Sequence, residues 1–574
     1  MALKLSAWDL SPIKPSDIER AMKSIESKTA DLVKKRSLLT DKISEKEFLK
    51  IVKELEKLRI ETEKLGAYSH LKFCEDTTNQ KANAVQSKVR TFLTKIGNQL
   101  LFFSLWFKDL PEAKAQQLIS SSGPYQYHFA LIRKMKPYTL NEKEEKLINI
   151  KDANGISSLI NVYDIFTSQF TYNFQGKERT QEEMINFVRS SSPETRKEAY
   201  NTILAPYKAN RNVIGEIYKS IVNDWREENV HIRGYKHPIG VRNFANDVPD
   251  EAVDVLLKVC EKNQDKFQRF FELKRKKLGL KKLNRYDLYS PLAEENKSIP
   301  YPEAINLVMD TFNGFSKEFA GAAKKIIEAN HIHSLVQKGK RSGAFCASAS
   351  IEIPPYILMS YTNKYRDVFT LAHELGHGVH YVLSSKQTEF TQDACLPLAE
   401  TASIFSEMLL SEKLIKENKE VARNMIFAKL DDIYASIIRQ AGFVNFERKA
   451  HWMMEEGRTI DEISLVYLTD LRKQLGSKIK VDEIFSYEWA YIPHIFHTPF
   501  YCYAYAFGNL LTLALYEMYK EDGSRFVAKY IDMLSKGGSE SPIEITKVMG
   551  IDICSEEFWQ KGFDAIEGMI KKIE

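Results

Sequence analysis

The sequence predicts a mainly α-helical fold with one small mixed β-sheet. Apolar residues recur at helical spacing over most of the chain, Gly and Pro are sparse within those stretches, and small and β-branched residues gather in one short patch. From Pro15 to about Leu118 charged and apolar residues alternate at helical spacing, as in Ile43 to Ile60, which predicts a helical hairpin region with solvated outer faces. Turn-rich breaks at Ser120-Ser121-Ser122-Gly123-Pro124 and Asp152-Ala153-Asn154-Gly155 separate further amphipathic segments as far as Gly176. Ser191-Ser192-Pro193-Glu194 is a fresh helix start, so a domain boundary is expected near residue 190, between a helical portion 1–190 and a second portion 191–574. Helical patterns run on to about Gly279, interrupted at Arg233-Gly234-Tyr235-Lys236-His237-Pro238 and again at Ser290-Pro291. The strand signal lies in Gly339 to Tyr361, where Gly343 to Ile353 is bounded by Gly and by Pro354-Pro355, and strand is expected to be confined to this patch. After Asp367 the helical period returns.

The 574 residues include 44% apolar and 28% charged side chains, which excludes disordered, collagen-like and coiled-coil classes and leaves ample chain for a large core. Lys and Arg exceed Asp and Glu by 82 − 77 = 5, spread along the whole chain, which argues against nucleic acid as the main partner. Cys74, Cys260, Cys346, Cys395, Cys502 and Cys554 lie far apart with no CxxC pair, and are expected to be reduced and mostly buried. The first residues lack a basic head followed by an apolar run, and no later stretch reaches the ~18 apolar residues of a membrane span. A cytoplasmic protein with no membrane partner is expected.

His373-Glu374-Leu375-Gly376-His377 is an H-E-x-x-H match inside the helical segment Asp367 to Leu383. Positions i and i+4 share one helix face, so both imidazoles can reach one ion, and Glu374 beside them can serve as general base toward a water. With 12 His and 77 acidic residues, chance would supply only about 0.03 such matches. His380 and Leu383 occupy the positions that a third histidine motif would need, and His380 is expected to pack beside the site. The acids that could complete the ligand set are Glu389, Asp393, Glu400 and Glu407. Glu400 stands out because its small, apolar neighbours from Leu396 to Met408 would bury an unpaired carboxylate at a cost of several kcal/mol, an objection that a metal partner removes. Glu407, seven residues on, could orient a ligand imidazole from behind the first ligands.

A second cluster, Tyr491 to Gly508, holds His494, His497, Tyr501, Tyr503 and Tyr505. Either these form an aromatic packing stripe, or their polar tips stabilise an oxyanion.

These segments resemble the oligoendopeptidase F branch of the thimet oligopeptidase-like zinc metallopeptidases. The resemblance covers most of the chain, through Arg233-Gly234-Tyr235, Val241 to Asp247, Gly343-Ala344-Phe345-Cys346, Leu371 to His380, Ala399 to Glu407 and Ile492 to Gly508. It implies a zincin-type helical metallopeptidase whose small mixed sheet lies beside the active site, with portion 1–190 covering a deep substrate channel and portion 191–574 catalytic. It implies one Zn2+ per chain held by His373, His377 and Glu400, with Glu374 as general base. A histidine and one or more tyrosines of the late stretch would hold the scissile carbonyl and its oxyanion; His494 is placed ahead of His497, and Tyr503 ahead of Tyr501 and Tyr505. Gly343, Ala344 and Phe345 would form the strand along which an extended peptide lies. The activity implied is hydrolysis of internal bonds in short, unstructured peptides. The alternatives are an exopeptidase of the same fold, trimming dipeptides or single residues from a chain end, or a catalytically silent peptide-binding protein, against which the presence of Glu374 argues.

Overall fold

In the computed structural model, which describes residues 4–292, 298–417 and 419–574, helices begin where short polar side chains satisfy the first free amide groups. Asp17 caps Ile18–Lys34, Ser44 caps Glu45–Glu75 and Asn79 caps Gln80–Asp109. The helix start expected at Ser191 to Glu194 is present: Ser192 Oγ accepts from the Thr195 amide at 3.1 Å, and Pro193 opens the helix Pro193–Ala209. The interruption at Arg233 to Pro238 follows a π-type turn, Glu227–Ile232. Gly234 then adopts φ +82°, and a new helix, Pro238–Ala245, starts with His237 as its cap.

The described residues pack as two compact units, each drawn from three stretches of chain on both sides of residue 190. The first lies within Met1–Pro137, Glu295–Lys413 and Met518–Ile551; the second within Tyr138–Glu294, Leu414–Glu517 and Asp552–Glu574. In the first unit the N-terminal helices, with the helix Gln126–Lys134, bury a phenylalanine cluster, with the Phe48 ring 4.9 Å from Phe129, 5.8 Å from Phe107 and 6.3 Å from Phe103. Each such ring removed from water contributes about 1.5–3 kcal/mol. The second unit buries two ion pairs: Arg196 meets Asp287 at 2.6 Å, and Arg285 meets Glu488 at 2.6 Å.

The expected sheet is in the first unit. Its central strand Tyr356–Leu358, fully buried, pairs parallel with Ile332–His333 and antiparallel with Phe345–Ala347, in the register Cys346 opposite Ile357. Phe345–Ala347 is an edge strand, half-exposed, and it is shorter than the Gly343 to Ile353 patch: from Ser350 the chain turns, with the Ile353 amide bonded to Ser350 O. Strand is not confined to this patch, however. The second unit holds two further two-stranded sheets, Leu283–Asn284 parallel with Ile479–Lys480, and a hairpin of Tyr172–Phe174 with Lys177–Arg179. The hairpin turns on Gln175 and Gly176, at φ +53° and +73°, the geometry of a tight two-residue turn. Strands of two or three residues are too short to show a period of two in the sequence.

Among the described residues no helix is long and apolar enough to cross a membrane. None of the six cysteines forms a disulfide; Cys74, Cys260 and Cys502 are buried and the other three half-buried.

Candidate metal centre

The H-E-x-x-H residues lie in the first unit on the helix Tyr365–Ser384, whose start is tied by Asp367, its carboxylate accepting from the Thr362 and Lys364 amides at 2.6 and 3.1 Å. Val368, Leu371, Ala372, Leu375 and Val379 are fully buried, which fixes the rotation of the helix and thereby the face that carries His373 and His377. Their rings stand 4.8 Å apart and nearly perpendicular.

Glu400 comes from the next helical segment. It follows the short turn Leu396–Ala399 and directly precedes the helix Thr401–Glu417. The two segments approach so closely at Gly376 that a Cβ there would stand 2.6 Å from both Ala402 O and Ser403 Cα. Only glycine fits this contact, and a helix-interior glycine costs roughly 0.5–1 kcal/mol against alanine. The close approach brings Glu400 Oε2 to 3.5 Å from His373 Nε2 and 3.4 Å from His377 Nε2. Tetrahedral coordination with bonds of about 2.0–2.2 Å separates ligand atoms by about 3.3–3.6 Å. Two imidazoles and one carboxylate at this spacing are therefore a donor set that could hold a metal ion, and the three ligand atoms all lie within 4.8 Å of one another.

Two further side chains orient members of this donor set. His373 Nδ1 donates to Glu407 Oε1 at 2.6 Å, which turns Nε2 to the Glu400 side. Ser403 Oγ donates to Glu400 Oε2 at 3.0 Å. Burial by itself would lower the His373 imidazole, but the hydrogen bond and charge of Glu407, joined by Glu400 and Glu374, carry it up to about 9. For Glu400, burial pushes upward, yet the neighbouring His377 and His373 and the Ser403 hydroxyl bring it down to about 2.

Glu374 is only 5% exposed, and its Oε2 is buried with no hydrogen-bond partner among the described residues. Burial raises its carboxyl above the usual range, against the pull of His373 and His377. A partnerless carboxylate oxygen beside a three-donor group is the arrangement a general base toward water requires. One turn on, Gly378 packs close to Cys346, whose Sγ would be 3.8 Å from a Cβ at that position. The motif helix thus lies against the edge strand Phe345–Ala347. Gly343, at φ +81°, and Ala344 lead into that strand, and the Phe345 ring lies near Trp8 and under the Arg341 guanidinium.

The other acids and histidines separate from this group. Glu389 Oε2 accepts from the Ile351 amide at 3.1 Å, and burial, opposed by that bond and by Arg59, lifts its carboxyl to about 7. Asp393 is likewise raised by burial and faces Arg59 and Glu63. His380 is buried and, by burial, lowered to about 4, a neutral ring packed beside the motif.

In the second unit the late stretch divides. His494, at the start of the four-residue helix His494–His497, lies 6.0 Å from the Tyr501 ring and 5.9 Å from Tyr505, and the two tyrosines are 5.3 Å apart. His497 is exposed, its Nε2 2.7 Å from Asp164 Oδ1. Tyr503, ranked first from the sequence, is fully buried, and its hydroxyl accepts from Asn246 Nδ2 at 2.8 Å. The grouped residues are therefore His494, Tyr501 and Tyr505. Sequence reading missed Gly376 and Ser403 as parts of the metal group, and Asn246, Arg242 and Glu447 as supports of the late stretch. The one available signal was that Arg242 and Asn246 fall in the Val241 to Asp247 segment.

The family model described as "Peptidase family M3" matches residues 186–565, and the model described as "Oligopeptidase F" matches residues 106–172. Oligopeptidase PepF of Bacillus subtilis is 27% identical over an alignment covering 99% of this chain and 88% of that protein. A solved structure from Chlamydophila abortus aligns with a TM-score of 0.85 at 24% identity, covering 99% of this chain and 97% of the other. Oligoendopeptidase-F from Enterococcus faecium aligns with a TM-score of 0.73 at 19% identity, covering 97% and 99%.

Proposed function

The chain belongs to peptidase family M3, in its oligopeptidase F branch, and from that membership we propose that this metallopeptidase is a zinc-dependent oligoendopeptidase. Its substrates are short, unstructured peptides, cut at internal bonds, and its role is cytoplasmic peptide degradation. The observation that carries the reading is the convergence of His373, His377 and Glu400 beside the buried, partnerless Oε2 of Glu374. One zinc ion per chain held by these three ligands would supply Lewis-acid polarisation and a more acidic bound water.

Each side chain then has one task. Glu374 takes the proton of the attacking water and returns it to the leaving amine. Glu407 holds His373 in the tautomer that leaves Nε2 free for the metal, and Ser403 holds Glu400. The edge strand Phe345–Ala347, with Gly343 and Ala344 leading into it, offers backbone groups to an extended peptide by strand addition. Its half-exposure and its place against the motif helix favour this role. His494, Tyr501 and Tyr505 donate to the developing oxyanion, while Tyr503 and His497 serve as supports through Asn246 and Asp164. The portion 191–574 is the catalytic part, in keeping with the match over 186–565, and 1–190 restricts access to a channel that admits flexible peptides and excludes folded proteins.

The test is a product map of one peptide blocked at both ends and internally quenched, digested with and without chelator. Internal cuts that chelation abolishes and zinc restores are expected. Release of terminal residues alone, or no cutting of the blocked peptide, overturns the endopeptidase reading.

A further inference from the structure

We propose that Arg242 and Glu447 are positioning residues that clamp the two ends of one peptide group, Pro499–Phe500, and so aim Tyr501 and Tyr505. The proposal rests on the reading of His494, Tyr501 and Tyr505 as donors to the transition state.

Phe500 has φ +58° and is 1% exposed. A bulky L residue rarely adopts this left-handed conformation, and it persists only where its surroundings over-determine it. Here they do. Glu447 Oε1, from the helix Arg439–Glu455, accepts from the Phe500 amide at 2.8 Å, and Arg242 Nε, from the helix Pro238–Ala245, donates to Pro499 O at 3.2 Å. That carbonyl and that amide belong to the same peptide plane. The plane cannot turn without breaking one of these two bonds, and the Phe500 ring beyond it is packed 4.6 Å from His451. Tyr501 follows directly, and the helix that carries Tyr505 starts at Tyr503, itself pinned by Asn246 just past the Arg242 helix.

The choice of residue type separates positioning from stability. Glu447 is completely buried, and its Oε2 has no partner among the described residues. Burial lifts its carboxyl to about 8, against the Phe500 amide and Arg242. A buried ionisable group with one oxygen unsatisfied is a poor device for stability, and an apolar side chain of the same volume is often as good or better. What the carboxyl group adds is a directed acceptor oxygen for one strained amide.

The experiment measures zinc content, Tm, kcat and KM on the blocked, quenched peptide for Glu447→Met, Glu447→Gln, Arg242→Met and the double Met variant. Tyr501→Phe and Tyr505→Phe are run beside them. Glu447→Met should keep its zinc and melt at or above the parent temperature. Its kcat should fall about 10- to 100-fold with KM little changed, because the donors are misplaced by a fraction of an ångström. Glu447→Gln, whose amide oxygen accepts the same N–H, should recover most of that loss. Arg242→Met should lose kcat similarly, and the double variant should lose less than the product of the singles, since both act on one peptide plane. A parent-like kcat in well-folded Glu447→Met overturns the proposal. If Glu447→Met folds poorly, a parent-like kcat in Arg242→Met overturns it instead. Should the tyrosine variants stay within a few-fold of the parent, the donor reading fails; if they lose kcat while the clamp variants do not, only the clamp fails.

Discussion

His373 and His377 sit one turn apart on a single buried helix, whereas His494, Tyr501 and Tyr505 are gathered across a four-residue helix, a strained turn and the start of a second helix. The first arrangement is fixed by covalent geometry and by a glycine contact between two helical segments. In the second, one peptide group decides where the side chains point. Chemistry that depends on the first region should therefore respond to changes in the reacting groups themselves. Chemistry that depends on the second should respond also to residues that never touch substrate.

The largest effect is expected at Glu374. Glu374→Gln should retain zinc and lose about 10²- to 10⁴-fold in kcat, measured on metal-replete protein, because the amide cannot take the proton. Retained turnover would mean that another base acts and would remove the metal group from the centre of the comparison. Next come Tyr501→Phe and Tyr505→Phe, each expected to lose about 10²- to 10³-fold in kcat with unchanged zinc. Tyr503→Phe should instead lower Tm, since it strands the buried Asn246 amide at a cost of about 1–3 kcal/mol. The reverse ranking would restore Tyr503 as the donor. Glu407→Gln, by weakening the hold on His373, should loosen zinc about 10- to 100-fold in chelator competition.

The smallest effect concerns Glu389. Its carboxyl lies above its ordinary 4.5, at about 7, so the folded chain holds this proton more tightly than the unfolded chain. Its contribution to stability is full below about pH 4.5 and is lost as the pH rises through about 7. Glu389→Gln should therefore melt progressively higher than the parent across that window, with zinc content unaffected. A zinc loss in this variant, with none on changing Glu400, would exchange the third ligand.

The helical class and the metal group were legible because both rest on local rules. Spacing of four within a helix puts His373 and His377 on one face whatever the rest of the chain does, and a carboxylate among the small, apolar neighbours of Glu400 demands a partner. Gly376 was not legible as a contact residue because its partner backbone is 26 positions away and leaves no periodic trace. The late stretch showed its residue types but not their roles. Phe500 breaks the helical register there, so counting from His494 does not tell which tyrosine is buried, and Tyr503 proved to be the one sealed against Asn246. The short strands at Leu283–Asn284 and Tyr172–Phe174 escaped for a simpler reason: two or three residues cannot display alternation.

The contact between Gly376 and the backbone of Ala402 and Ser403 is made by the chain alone. Backbone packing therefore does part of the work of bringing Glu400 to His373 and His377, and a single methyl group added at residue 376 would push the segment that carries Glu400 away from both imidazoles.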